Sequence, residues 1–173
     1  MTNSNERNIV HMDLDTFFVS CERLIDSKLN GKPVLIGGTS DRGVVASCSY
    51  EARRFGIHSA MPMRMAKQLC PEAIVLRGNT GIYSKYSDMV TEIIKEGVPL
   101  YEKSSIDEFY IDLSGMDKFF GCHQLASELR SRIIKETGLP ISFGLSINKT
   151  VSKIATGEAK PNNQIRIDSG LEK

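Results

Sequence analysis

The chain has 173 residues, of which 40% are hydrophobic and 25% charged, so it can bury the core of one globular domain, with or without a small insertion. The net charge of +1 argues mildly against a complete DNA-binding protein, because phosphate contacts come from clustered Lys and Arg. No run approaches the roughly 18–20 apolar residues of a membrane span, and the four cysteines form no Cys-x-x-Cys pair. We therefore expect a cytoplasmic protein with no disulfide, zinc site or membrane association.

The first half of the chain alternates short strands with short helices. Residues 8–12 predict a buried strand that leads into Asp13-Leu14-Asp15, and the apolar spacing over 16–25 predicts a helix after it. Asp15 lies where a helix N-cap is expected, so capping is sufficient to explain it, whereas Asp13 has no such explanation. The other elements predicted in this half are strands at 33–37 and 44–47 in a hairpin, helices at 50–55 and 62–69, and a strand at 74–76.

The second half has two longer helices on either side of a hairpin. Its predicted elements are a helix at 79–96, strands at 98–106 and 109–113, a helix at 122–137, a strand at 141–146, a helix at 149–158 and a strand at 164–167. With residues 16–78 set aside as an insertion, the order strand, helix, hairpin, helix, strand is that of the split βαβ, ferredoxin-like fold. We therefore predict an α+β protein with a ferredoxin-like sheet and a small α/β insertion.

The hairpin carries an acidic pair, Asp107-Glu108. Adjacent side chains point to opposite faces of a strand, but at a bend both can reach a common point. Neighbouring carboxylates repel each other unless a cation lies between them, although a solvated acidic turn is the simpler explanation for the pair alone. In a ferredoxin-like sheet the end of the first strand lies beside this hairpin, so Asp13 would converge on the pair. The three acids together predict a divalent-metal site.

Four motifs in one order carry a family resemblance. They are His11-Met12-Asp13-Leu14-Asp15-Thr16-Phe17-Phe18, Ser49-Tyr50-Glu51-Ala52-Arg53-Arg54-Phe55-Gly56, Ser105-Ile106-Asp107-Glu108 and Ala159-Lys160-Pro161-Asn162. Together they resemble the N-terminal part of the Y-family translesion DNA polymerases, of the bacterial DinB type. A single tetrapeptide would be weak support for a family, but four in register over nearly the whole chain are specific.

The resemblance implies a discontinuous catalytic palm of residues 1–16 and 79–173, with an inserted fingers domain of residues 17–78. Family members continue into thumb and little-finger domains that grip DNA, and these are expected beyond Lys173, which would explain the low net charge. The implied partners are primer–template DNA, a deoxynucleoside triphosphate, and a sliding clamp bound through the C-terminal region. The chain itself is expected to be monomeric.

The same resemblance implies a set of metal ligands. Asp13, Asp107 and Glu108 would be catalytic and bind metal through their side chains, and Leu14 would contribute its backbone carbonyl. The implied chemistry is phosphoryl transfer with two Mg²⁺ ions about 3.5–4 Å apart, which clamp the 3′-hydroxyl, the α-phosphate and the leaving pyrophosphate. Hard oxygen ligands suit this ion. Asp15 is placed beside the site and not among its ligands.

Five further residues match nucleotide-binding positions of the family. Phe18 matches the steric gate, whose ring excludes a ribose 2′-hydroxyl by collision. Tyr50 and Arg53 lie three apart on one helix face and match the pair that holds the triphosphate, for which an Arg fork is suited. Ser47 is expected to add a hydroxyl to the same phosphates, and Lys160 to reach them from the palm. Without the motifs, Phe18 would be an ordinary core aromatic and the others solvated surface residues.

Two positions depart from the family pattern, and two other functions stay open. Phe109 follows the acidic pair where a small residue is common, and Asn163 replaces a common glycine. A non-catalytic, polymerase-like scaffold in DNA repair would have lost the acids, which are all present. A nucleotide cyclase would share the fold and the metal chemistry, but it would carry a Gly-Gly-Asp/Glu motif that the chain lacks.

Overall fold

The structure is a computed structural model that describes residues 7–116 and 121–167. Its strands are β1 (Ile9–Leu14), β2 (Val34–Gly37), β3 (Val45–Cys48), β4 (Ile74–Leu76), β5 (Tyr101–Ser105), β6 (Glu108–Asp112), β7 (Ile141–Ser146) and β8 (Gln164–Arg166). Its α-helices are α1 (Phe17–Ile25), α2 (Tyr50–Arg53), α3 (Met63–Leu69), α4 (Thr80–Gly97), α5 (Cys122–Thr137) and α6 (Lys149–Ala159), and Ser27–Leu29 form a 3-10 helix. The predicted elements occur in the predicted order, with ends that shift by a few residues. The parts of the predicted palm at residues 1–6, 117–120 and 168–173 lie outside the described residues.

The larger sheet has the strand order β5-β6-β1-β7-β8. β1 pairs antiparallel with both β6 and β7, β5 pairs antiparallel with β6, and β8 joins parallel to β7. Helix α4 precedes β5, and helix α5 connects β6 to β7. The four adjacent strands β5, β6, β1 and β7 therefore have the order and connectivity of the split βαβ arrangement. The predicted α+β, ferredoxin-like fold is confirmed.

The register of β1 separates an apolar face of this sheet from a polar one. Met12 lies opposite Phe109, and both side chains are fully buried. The next pair along the strands, Asp13 and Glu108, lies on the other face because side chains alternate. Phe109 therefore fills the apolar core and points away from its acidic neighbour, so the larger side chain at this position is accommodated by packing.

The chain divides into two compact units, one of Met1–Asp15 with Lys85–Lys173 and the other of Thr16–Ser84. The second unit contains a three-stranded sheet of order β3-β2-β4, in which β2 is antiparallel to β3 and parallel to β4. Buried side chains that include Leu35, Ala52 and Met63 form a core within it. The assignment of palm and fingers to the predicted ranges stays a prediction.

The capping interpretation of Asp15 is wrong. The N-cap residue of α1 is Thr16, whose own side chain makes no cap hydrogen bond. The N–H of Asp15 donates to the carbonyl of Pro140 at 2.9 Å, so Asp15 extends the ladder between β1 and β7 and does not begin the helix. Its side chain is buried and accepts a hydrogen bond from the Ser142 hydroxyl, at 3.0 Å to Oδ1 and 3.1 Å to Oδ2.

The cysteines serve as small apolar side chains. Cys21, Cys48, Cys70 and Cys122 are all free and buried. Burial raises the pKa of the Cys21 thiol to about 12, so this thiol is protonated at neutral pH. Among the helices of the described ranges, none combines the length and the apolar composition that a membrane span needs.

Helix α6 lies very close to β7 at Gly144. A Cβ at this position would meet the carbonyl oxygen of Ser152, the Cβ of Ala155 at 2.6 Å and the backbone nitrogen of Thr156 at 2.7 Å. Two of these three atoms belong to the helix backbone, so they cannot rotate away. The missing side chain therefore allows α6 to approach the polar face of the sheet, where the Thr156 hydroxyl lies 2.7 Å from Nδ1 of His11.

We predict that Gly144→Ala lowers the free energy of unfolding by about 1–3 kcal/mol or more, because the added methyl group overpacks the contact between α6 and β7. Gly157→Ala is the matched control, since a Cβ at Gly157 of the same helix meets nothing within 4 Å. This control should raise the stability by up to about 1 kcal/mol through helix propensity. Urea unfolding followed by circular dichroism measures both, and equal effects would contradict the close-approach argument.

Candidate active site

The predicted metal ligands lie next to one another at one end of the larger sheet. Asp13 in β1 is directly opposite Glu108, the first residue of β6. Asp107 lies in the turn before β6, and its carbonyl accepts a hydrogen bond from the N–H of Leu14 at 2.9 Å. The pairing of β1 with β6 therefore brings together two adjacent pairs of residues, Asp13-Leu14 and Asp107-Glu108, that are far apart in the chain.

Glu108 is bound by two side chains at one of its oxygens. Nε2 of His11 lies 2.6 Å from Oε1, and Nζ of Lys153 lies 3.1 Å from the same atom. Because a carboxylate only accepts hydrogen bonds, we assign the proton of the first contact to Nε2. Burial acts to raise the pKa of Glu108, but the hydrogen bonds from His11 and Lys153 outweigh it, so this pKa lies below its usual value. Glu108 is thus an ionised carboxylate whose Oε2 takes no part in these contacts.

Asp13 has one paired and one unpaired oxygen. Its Oδ2 lies 3.3 Å from Nζ of Lys160. Its Oδ1 is buried and, among the described residues, has no hydrogen-bond partner. Burial raises the pKa of Asp13 to about 6, with Lys160 opposing the shift and Asp107 adding to it. A buried oxygen without a partner is costly, so a bound cation or donor at Oδ1 would stabilise this end of the sheet.

The donor set fits a divalent cation by its chemistry. Asp13, Asp107 and Glu108 offer hard carboxylate oxygens of the kind that Mg²⁺ prefers, and one of these oxygens is unpaired. Within the described part of the chain, however, no three His, Cys, Asp or Glu side chains are grouped closely enough to hold a metal ion. Asp107 accepts a hydrogen bond from the Ser105 hydroxyl at 2.9 Å, and lysine ammonium groups lie against the other two acids.

The predicted phosphate-binding pair begins and ends one short helix of the second unit. Tyr50 and Arg53 are the first and last residues of α2, and the Arg53 guanidinium carbon lies 4.9 Å from the centroid of the Tyr50 ring. This cation–π contact keeps the two side chains on one helix face. Ser47 lies in β3, just before the helix, and is half-buried.

Phe18 is supported by a second aromatic ring. It lies in α1 and stacks on Tyr83, with ring centroids 4.3 Å apart and an interplanar angle of 15°. Tyr83 is buried, and its hydroxyl donates to Glu22 at 2.8 Å. Burial, together with the Glu22 contact, raises the pKa of Tyr83, so its hydroxyl stays protonated. The hydrogen bond to Glu22 and the stacking on Phe18 together restrain the Tyr83 ring. The stacking limits the positions available to the Phe18 ring.

Sequence reasoning missed three residues that contact the predicted site residues. His11 alternates with Asp13 along β1, so the period of two could have placed it on the same face. Tyr83 lies on the buried side of α4, but helical spacing alone does not indicate which ring it stacks on. Lys153 belongs to a lysine-rich stretch whose pairing with Glu108 depends on tertiary structure, and no local signal indicates it.

Comparison with known proteins assigns the chain to a protein family. Residues 12–157 match the impB/mucB/samB family (IMS). The chain belongs to this family. It is 44% identical over 170 residues to a DNA polymerase IV of Treponema denticola, covering 98% of this chain and 43% of that protein. It is 45% identical over 157 residues to a DNA polymerase IV of Clostridium perfringens, covering 90% of this chain and 44% of that protein.

Solved structures agree with this family. DinB from Sulfolobus solfataricus superposes with a TM-score of 0.87 at 29% identity, covering 94% of this chain and 48% of that one. The Dbh DNA polymerase in an insertion ternary complex gives a TM-score of 0.86 at 28% identity, covering 95% and 49%. The predicted resemblance to Y-family polymerases of the DNA polymerase IV type is confirmed. The chain spans less than half the length of each of these proteins.

We predict that Ser49→Ala destabilises the segment that carries Tyr50. The buried Ser49 hydroxyl oxygen accepts hydrogen bonds from the N–H groups of Ala52 at 3.3 Å and Val34 at 2.9 Å, and alanine leaves both donors without this acceptor. The free energy of unfolding should fall by about 1–3 kcal/mol in denaturant titrations. Ser59→Ala, at an exposed serine of the same unit, is the control and should change it by less than about 0.5 kcal/mol.

Proposed function

We propose that the protein is a template-directed DNA polymerase of the low-fidelity, translesion type. It would join a deoxynucleotide to the 3′-hydroxyl of a primer and release pyrophosphate. The observation that carries this proposal is the register of β1 with β6, which sets Asp13 opposite Glu108 and joins Leu14 to Asp107 in a chain of the IMS family. The relatives described as DNA polymerase IV support the same activity.

Asp13, Asp107 and Glu108 would hold Mg²⁺ through their carboxylates, and Leu14 would add its backbone carbonyl. Two such ions, when bound, supply Lewis-acid stabilisation to the attacking and leaving oxygens. The unpaired Oδ1 of Asp13 and the open Oε2 of Glu108 support this role, since each is a hard donor that the protein contacts described above do not use. His11 orients Glu108 by holding its other oxygen.

The remaining proposed residues bind and select the nucleotide. Lys160, Tyr50 and Arg53 would contact the triphosphate oxygens, with Arg53 as a fork and Lys160 as a point charge. Ser47 would donate its hydroxyl to the same phosphates. Phe18 would exclude ribonucleotides by collision with the 2′-hydroxyl. Its stacking on Tyr83 supports this role, because a fixed ring excludes the 2′-hydroxyl more effectively than a mobile one.

The proposed partners follow from the same family resemblance. Primer–template DNA and deoxynucleoside triphosphates would be the substrates, and the ternary complex of Dbh DNA polymerase supports this class of partner. A sliding clamp is the further partner that the resemblance implies. We propose that the enzyme acts in the cytoplasm and that this chain is monomeric.

We predict that Asp107→Asn and Glu108→Gln each abolish primer extension in the presence of Mg²⁺, because each removes a charged ligand while keeping the side-chain shape. Gel-based extension of a labelled primer measures the effect. Asp112→Asn is the matched control, since Asp112 lies at the other end of the strand that Glu108 begins, where its Oδ1 accepts a hydrogen bond from the N–H of Ser114. Undiminished extension by either acidic-pair variant would remove that residue from the proposed site.

We predict that Phe18→Ala raises ribonucleotide incorporation relative to deoxynucleotide incorporation by roughly ten-fold or more, the effect of removing a clash of about 1.4 kcal/mol. Phe18→Leu should give a smaller change, because part of the bulk remains. Phe55→Ala, at an exposed aromatic residue of the same unit, serves as control. The ratio of kcat/KM for the two nucleotides measures selectivity, and an unchanged ratio in Phe18→Ala would exclude the gate.

A further inference from the structure

The turn that carries Lys160 is held by side chains from other elements. This turn, residues 160–163, follows α6 and leads into β8. The Asp15 carboxylate accepts a hydrogen bond from the N–H of Asn162 at Oδ2. The Ser142 hydroxyl, which donates to the same carboxylate, accepts a hydrogen bond from the N–H of Asn163 at 3.1 Å. Two consecutive backbone donors of the turn are therefore bound by the side chains of Asp15, just after β1, and Ser142 in β7.

Arg130 of α5 also binds this turn. Its Nη2 donates to the carbonyl of Asn162 at 2.5 Å and to Oδ1 of the Asn162 side chain at 3.0 Å. Its Nε donates to the carbonyl of Ile141 at 2.7 Å, which anchors the guanidinium to β7. Asn162 has a φ of 46°, in the left-handed region that asparagine tolerates better than most residues. The planar fork of arginine fits this set of acceptors, and lysine could not replace it.

The charges around the turn compensate one another. Asp15 is 1% exposed, and a carboxylate this deeply buried is stable only with hydrogen-bond donors and positive charge nearby. Asn162 and Ser142 supply the donors. The Lys160 ammonium lies 3.7 Å from Oδ1 of Asp15. Burial lowers the pKa of the Arg130 guanidinium, and the charge of Asp15 opposes this shift. The buried acid thus holds both the backbone of the turn and the lysine that the turn carries.

We propose that Asp15, Ser142 and Arg130 form a clamp that positions Lys160 for the nucleotide triphosphate. Arg130 is then a positioning residue that acts through Asn162. This inference rests on the proposed role of Lys160. A lysine side chain is long and flexible. A fixed turn and two acidic contacts restrict Lys160 in advance, so this side chain loses less conformational entropy when the nucleotide binds.

The first test is Arg130→Gln, with Arg132→Gln as the matched control. Arg132 lies two residues away in α5, and its ion pairs within the described ranges are with Glu96 and Glu136. Arg130→Gln should raise the KM for the incoming deoxynucleotide roughly ten-fold, the loss expected for hydrogen bonds to a charged group, with a smaller change in kcat. Arg132→Gln should leave both constants unchanged. A fall in kcat alone, with KM unchanged, would overturn the clamp.

A second readout needs no catalysis. Reductive methylation with formaldehyde modifies lysine amines, and peptide mass spectrometry gives the rate at Lys160. Contacts with Asp13 and Asp15 protect this amine, so Arg130→Gln should accelerate its methylation several-fold and Arg132→Gln should not. Equal rates at Lys160 in both variants would overturn the clamp, whether or not the protein is a polymerase.

A double-mutant cycle separates this inference from the proposed function. If Arg130 acts through Lys160, then adding Arg130→Gln to Lys160→Ala causes no further rise in KM, whereas independent effects would add. If Lys160→Ala alone leaves KM unchanged, the triphosphate role of Lys160 fails and the methylation result still decides the clamp. Should Arg130→Gln not fold, Asn162→Gly keeps the left-handed backbone and removes only the Oδ1 acceptor. It should raise KM and the methylation rate in the same direction by a smaller factor, and no change in either would overturn the clamp.

Discussion

The register of the central strand β1 is the constraint on which the arrangement of the site depends. This strand pairs with β6 on one side and β7 on the other, and its side chains alternate between an apolar and a polar face. A slip of one residue would turn Asp13 and His11 into the apolar core and move Met12 to the polar face that α6 covers. The buried pair of Met12 and Phe109 therefore specifies the register that keeps Asp13 beside Glu108.

Acids brought together by a sheet repel one another, by roughly 4 kcal/mol for two charges about 4 Å apart at an effective dielectric constant near 20. The fold offsets this with its own cations. Lys160 is 23% exposed where it meets Asp13, whereas Lys153 is 60% exposed where it meets Glu108, so water screens the second pair more strongly. Groups of the protein itself therefore offset part of the negative charge of these acids.

Much of the fold could be predicted, because apolar periodicity and the positions of Gly and Pro carry local information. The adjacency of Asp13 and Glu108 followed from the strand order of a ferredoxin-like sheet. The contact between Asp15 and Ser142 could not be predicted in this way, since 127 residues separate them and their meeting depends on side-chain directions across two strands. Local spacing instead suggested a helix cap. The roles of Tyr50 and Arg53 came from the family resemblance and from no pattern of their own.

The discontinuity of the first unit has a consequence during synthesis. Among the strands that the structure describes, β1 leaves the ribosome before the others, yet its contacts lie far along the chain: His11 meets Glu108 97 residues later and Thr156 145 residues later. The second unit, Thr16–Ser84, is continuous and is complete before either partner strand of β1 exists. The nascent chain therefore carries an apolar strand without its neighbours until β6 and β7 have been synthesised, and an exposed apolar strand of this kind is prone to aggregate.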